Sequence, residues 1–110
     1  MKLPNARSAV IPVEKVRDYL LAAEHPVGGS KARWFLALGY RREEVDELID
    51  DLRTLLTNDV EPLGDEGFGE KFSITPALTS PNATRYTVRT IWIVRAGEAI
   101  PRFVTTYPGE

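Results

Sequence analysis

The hydrophobic period of this chain changes near Asn58, and that change decides its fold class. Between about 42 and 57, Val45, Leu48, Ile49, Leu52, Leu55 and Leu56 recur at helical intervals. Apolar residues so spaced share one face of a helix, and Glu43, Glu44, Asp46, Glu47, Asp50 and Asp51 fall on the remainder. The spacing predicts that Val45, Leu48, Leu52 and Leu55 are buried while Asp46, Asp50 and Asp51 face solvent. Beyond Asn58 and the glycines at 64, 67 and 69, apolar residues alternate with polar ones, the signature of half-buried strands.

The same reasoning places the other elements. Pro12 suits a first helical position, and Val13, Val16 and Leu20 form one stripe, predicting a helix over 12–23. Pro26 and Gly28-Gly29 end it. A shorter helix is expected from Ser30, a candidate N-cap, to Leu38, with Trp34, Phe35 and Leu38 inward and Gly39 as its stop. Strands are expected over 68–79, 84–95 and 100–107, with a weaker one at 59–63, and Pro76 marks an edge or a break. The result is an α+β domain: three N-terminal helices (12–57) followed by a four-stranded antiparallel sheet (59–107), a single domain over 1–110.

Within the long strand, Tyr86, Val88, Thr90, Trp92 and Val94 line one face, and Arg85, Thr87, Arg89, Ile91 and Ile93 the other. Pairing aromatic residues across strands puts Trp92 opposite Phe103, Thr90 opposite Thr105 and Val88 opposite Tyr107. A one-residue slip would exchange the faces and favour Arg89 over Thr90 as a functional group.

Composition narrows the chemistry. There is no cysteine among the 110 residues, so disulfide frameworks, cysteine-zinc sites and thiol nucleophiles are excluded. With a single histidine, a histidine-based metal site is not expected, and no flavin or other cofactor signature is present. No apolar run approaches the ~20 residues that span a bilayer, and the first residues carry no secretory pattern. The expected compartment is therefore cytoplasmic, unless another system delivers the chain into a target cell. Fourteen basic against sixteen acidic residues, a net charge of −2, argues against a sequence-independent nucleic-acid coat. It leaves room for an enzyme that grips one or two phosphates.

One segment concentrates chemistry: His25-Pro26-Val27-Gly28-Gly29-Ser30-Lys31-Ala32-Arg33. A histidine moves protons near neutral pH, and a glycine turn entering a helix presents free N–H groups to an anion. His25 and Lys31 can converge on one phosphate from either side of that turn. Gly28-Gly29-Ser30-Lys31 is not a nucleotide-binding P-loop, since the first glycine is missing and serine precedes lysine. A connecting loop with no chemistry fits the same residues.

The residues Leu3-Pro4-Asn5, Lys15, Tyr19-Leu20, His25-Pro26-Val27-Gly28, Lys31-Ala32-Arg33 and Leu38-Gly39-Tyr40 follow a familiar order. So do Leu78-Thr79-Ser80-Pro81-Asn82, Val88 to Val94 and Pro101 to Pro108. Across nearly the whole chain they resemble an uncharacterised family of small bacterial domains. That family is similar in layout to the barnase–EndoU–colicin–RelE group of ribonucleases. The resemblance implies a metal-independent endoribonuclease toxin that cleaves RNA through the ribose 2′-hydroxyl and is held in check by an antitoxin or immunity protein. It nominates His25, Lys31, Thr90 and Thr105 as catalytic groups, with Arg33, Arg89 and Tyr107 binding substrate. One departure stands out: a single histidine is present where such families often show two, or a His–Glu pair. The acid–base partner of His25 is therefore open. The alternative is a non-catalytic protein-binding module, antitoxin-like or scaffolding, acting through the acidic face of the third helix.

Overall fold

In the computed structural model, residues 1–21, 29–65 and 67–108 are described, apart from the side chains at 19, 20, 30 and 31. The His25 expectation and the end of the first predicted helix lie outside them. That helix is less regular than its sequence suggests. A single turn, α1 (Val13–Lys15), passes into a π-helical turn (Val16–Leu20) closed by a 3.0 Å bond from the Leu21 N–H to the Val16 carbonyl. The widened turn spaces the buried residues five apart: Val16 and Leu21 are enclosed, while Val13, expected in the stripe, is 40% exposed. Pro12 stands ahead of the helix as its cap residue. Outside the turn, Asp18 accepts bonds from Arg17 and from Arg42, 24 residues away. These two guanidinium bonds, Arg17's first, hold the Asp18 carboxyl well below the usual carboxylate range.

Helix α2 (Gly29–Ala37) begins one residue earlier than expected, which puts Ser30 inside the first turn instead of ahead of it. Ala32, Phe35 and Leu38 are buried and Trp34 is half-buried against the core. Gly39 ends the helix at φ +99°, a conformation that costs a side chain strain. Asn82 completes the stop, its side-chain amide donating to the Ala37 carbonyl and its backbone N–H to that of Leu38. The β-turn around Pro81 thus anchors the C-terminal end of α2. A 3₁₀ turn (Arg42–Glu44) leads into α3 (Val45–Thr54), and another (Leu55–Thr57) follows it. Leu48, Ile49, Leu52, Leu55 and Leu56 are buried, Val45 is half-buried, and Asp46 and Asp50 are exposed. Asp51 departs from expectation: it is half-buried and accepts a 2.6 Å hydrogen bond from the Tyr40 hydroxyl.

The second half is an antiparallel sheet of five strands: β1 (Glu61–Asp65), β2 (Gly69–Ile74), β3 (Ala77–Thr79), β4 (Arg85–Arg95) and β5 (Arg102–Pro108). The predicted strand over 68–79 is split at Pro76, which has no N–H for a ladder. Its two pieces keep one register against β4, with Ile74 facing Thr90 and Ala77 facing Thr87. The first strand starts at Glu61, two residues later than expected.

The β4–β5 register differs from the expected one at one end only. Trp92 faces Phe103, their rings edge-on with centroids 5.4 Å apart, as aromatic pairing predicts. Thr90, however, faces Thr106, Val88 faces Pro108, and Thr105 faces Ile91. A bulge at Ile91/Trp92 absorbs one residue of β5. Beyond it Thr105 and Tyr107 turn to the side of Arg89 and Ile91, away from Thr90 and Trp92.

This gives the sheet two unlike faces. Phe72, Ile74, Tyr86, Val88, Trp92 and Phe103 join Phe35, Leu48, Leu52 and Leu55 in one core. Ile91 and Ile93, on the opposite face, take no part in that core. The described helices therefore pack on one side of the sheet; on the other, open face Ile91 and Ser73 are nonetheless buried at the centre, while Arg85, Arg89 and Tyr107 are exposed.

Candidate nucleic-acid interface

Strand alternation builds the open face. On β4 it carries Arg85, Thr87, Arg89, Ile91, Ile93 and Arg95; on β2, Lys71 and Ser73; on β1, Glu61; on β5, Arg102, Thr105 and Tyr107. Arg89 lies directly across from Tyr107, and Ile91 between Ser73 on one side and Thr105 on the other. Side chains so paired stand about 5 Å apart at their Cβ atoms, close enough to grip one small group together. Arg85 and Arg89 are exposed, Thr87, Lys71 and Thr105 are half-buried, and Tyr107 is 44% exposed.

Charge distinguishes this face. Elsewhere Arg17 and Arg42 share Asp18 and Lys2 meets Asp59 at 3.1 Å, whereas on this face only Arg102, opposite Ile93, meets a described carboxylate, Glu98 at 3.2 Å. Among the described residues no carboxylate pairs with Lys71, Arg85 or Arg89. Cations without a described carboxylate partner, on a sheet face that also carries hydroxyls, can bind an anion, and an aromatic ring beside them can stack on a planar base.

The nominated residues fare differently. Arg89, Tyr107 and Thr105 stand together on the open face, and Arg33 is exposed on α2. Lys31 lies in the first turn of α2, with its side chain outside the described set, and α2 packs beside β5. His25 lies outside the described residues. Thr90 is corrected: it is fully buried on the core side, donates at 3.1 Å to the Ile74 carbonyl and accepts at 2.9 Å from the Trp92 indole. A hydroxyl so enclosed serves packing, not a phosphate. The expected Thr90–Thr105 cluster does not form because the bulge puts the two residues on opposite faces. Thr106, its replacement opposite Thr90, is also buried and donates to the Arg89 carbonyl at 3.0 Å. Lys71, Ser73, Arg85 and Thr87 were not singled out from sequence, although strand parity with Arg89 carried the signal for the two β4 residues.

Behind this face runs a buried polar chain that belongs to the core. The Tyr40 hydroxyl bonds both Asp51 and Tyr86, each at 2.6 Å, joining α3 to β4. Trp34 packs edge-on to Tyr86. Burial first, then the Asp51 and Tyr86 bonds, push the Tyr40 phenol upward; burial likewise raises Tyr86. Because the folded state favours both neutral phenols, their contribution to stability is complete below the ordinary tyrosine range near ~10. It is lost as pH rises above that value. Tyr40→Phe leaves Asp51 and Tyr86 without this partner, and its urea midpoint at neutral pH is expected to report a loss of ~1–3 kcal/mol. An unchanged midpoint would show the chain to be energetically idle.

Among the described residues no group of three acidic or histidine side chains is placed to hold a metal ion. No described helix is long and apolar enough to cross a membrane.

No curated protein matches this sequence. Among solved structures, the fold is similar to a chain of a contact-dependent growth inhibition toxin–immunity protein complex from Klebsiella pneumoniae 342. The TM-score is 0.73 at 16% identity, over 96% of this chain and 97% of that one. At such identity the likeness is one of fold. Family membership rests on sequence: residues 2–110 match the family described as Domain of unknown function (DUF6883), and the chain belongs to that family.

Proposed function

We propose that this domain is a metal-independent endoribonuclease of toxin type, acting on RNA at the open face of its sheet. The observation that carries the reading is Arg89 beside Tyr107, with Thr105 on the next outward-facing position of β5, on a surface where Lys71, Arg85 and Arg89 meet no carboxylate among the described residues. The likeness of fold to a chain of a toxin–immunity complex supports the toxin class and a neutralising protein as partner.

In this mechanism His25 removes the proton from a ribose 2′-hydroxyl, or protonates the departing oxygen. The 2′-oxygen attacks the adjacent phosphorus, and the bond to the 5′-oxygen breaks as that oxygen takes up a proton. A 2′,3′-cyclic phosphate and a free 5′-hydroxyl result, with no redox change. Lys31 and Arg89 stabilise the extra negative charge on the pentavalent phosphorus. Thr105 donates to a phosphate or ribose oxygen, and Tyr107 stacks on a base.

The test is incubation of purified protein with total RNA in EDTA. The reading expects cleavage to cyclic-phosphate ends, reduced about tenfold or more in Arg89→Ala. RNA left intact by the wild-type protein would overturn it. The competing reading, a protein-binding module, draws on the exposed carboxylates Asp46, Glu47 and Asp50 of α3, none of which forms an ion pair among the described residues. It expects no cleavage.

A further inference from the structure

We infer that the RNA bound here is single-stranded and runs along β4 from Arg89 toward Arg85, with Arg85 as a second phosphate anchor. This rests on the ribonuclease reading and adds a direction and a substrate form to it. Residues 85, 87 and 89 project from the same face, and each step of two residues advances about 6.8 Å. That repeat is close to the phosphate-to-phosphate step of an extended polynucleotide, so Arg89, Thr87 and Arg85 can meet three successive phosphates.

In the opposite direction the two-residue step is interrupted, since Ile91 and Ile93 separate Arg89 from Arg95, and of the cations flanking Ile93, Arg102 is held by Glu98 and Lys71 is half-buried. At the Arg85 end the path is open. Its cross-strand neighbour Thr79 is exposed, as is Ala77 beside Thr87. The cations along β4 form one line, which fits one backbone; a duplex presents two. Tyr107 adds to the preference, because its partly exposed ring can stack only on a base whose face is not already covered by the stacked pairs of a duplex.

The experiment measures fluorescence anisotropy with a 2′-O-methyl oligouridylate, which lacks the attacking hydroxyl and cannot be cleaved by this route. Arg85→Ala is expected to bind about tenfold more weakly than wild type. Its plot of log affinity against log salt should be shallower by ~0.7, the loss of one single-strand phosphate contact. A duplex of the same length should bind wild type more weakly than the single strand does. Wild-type affinity in Arg85→Ala, or a duplex that binds as tightly as the single strand, overturns the proposed track. If RNA cleavage by wild type persists beside that result, the ribonuclease reading survives alone. If wild type neither cleaves RNA nor binds the oligomer, both fail.

Discussion

Alanine in place of His25 is expected to slow RNA cleavage in EDTA by two to four orders of magnitude, the usual contribution of a positioned proton-transfer group. The thermal midpoint should stay at the wild-type value. The measurement is the initial cleavage rate of a short fluorogenic RNA, with circular dichroism as the control for folding. Lys31→Ala should produce damage of similar size, because charge on the phosphorus would lose its cation. Equal rates in wild type and His25→Ala would move the proton transfer to another residue. Tyr107 would then be the first to test, because its hydroxyl lies on the open face opposite Arg89.

The largest stability change is expected at Trp92. Its side chain is fully buried, packs edge-on to Phe103 and donates its indole N–H to Thr90. Trp92→Ala removes the packing, opens a cavity and takes the donor from Thr90, a loss of ~3–5 kcal/mol. Against the ~5–15 kcal/mol that holds a typical domain together, this brings the fold to the edge of stability. Urea denaturation measures it directly, and a loss under ~1 kcal/mol would mean that the sheet and helices do not meet around this ring. Trp92→Phe is expected to lose less than Trp92→Ala, since it keeps part of the ring contact while losing the hydrogen bond and some buried volume.

What could be read from the sequence, and what could not, follows from which interactions are local. The face of α3 was legible because helical spacing alone decides it, and Leu48, Leu52 and Leu55 are buried accordingly. Asp51 was not, because its partner Tyr40 comes from a different element. Trp92 opposite Phe103 was legible from cross-strand aromatic preference. The bulge next to that pair was not: nothing in Val104-Thr105-Thr106 marks where a residue will be skipped, and skipping one exchanges Thr105 for Thr106 on the buried side. The site inherited that error. Thr90 and Thr105 look equivalent as polar residues in apolar strands, yet one is enclosed beneath the helices and the other lies on the open face. Arg89 and Tyr107 gained the central position for the same reason. The π-turn at Val16–Leu20 was likewise invisible, since it is set by burial of Val16 and Leu21 together and not by any propensity of the intervening residues.

The central claim is that RNA meets the open face of the sheet, and amide chemical-shift mapping tests it most directly. Titration of labelled protein with a 2′-O-methyl oligoribonucleotide should shift the amides of Lys71, Thr87, Arg89, Thr105 and Tyr107. Those of Asp46, Glu47 and Asp50 on α3 should stay in place. Shifts confined to α3, or no shifts at saturating oligomer, would contradict the claim.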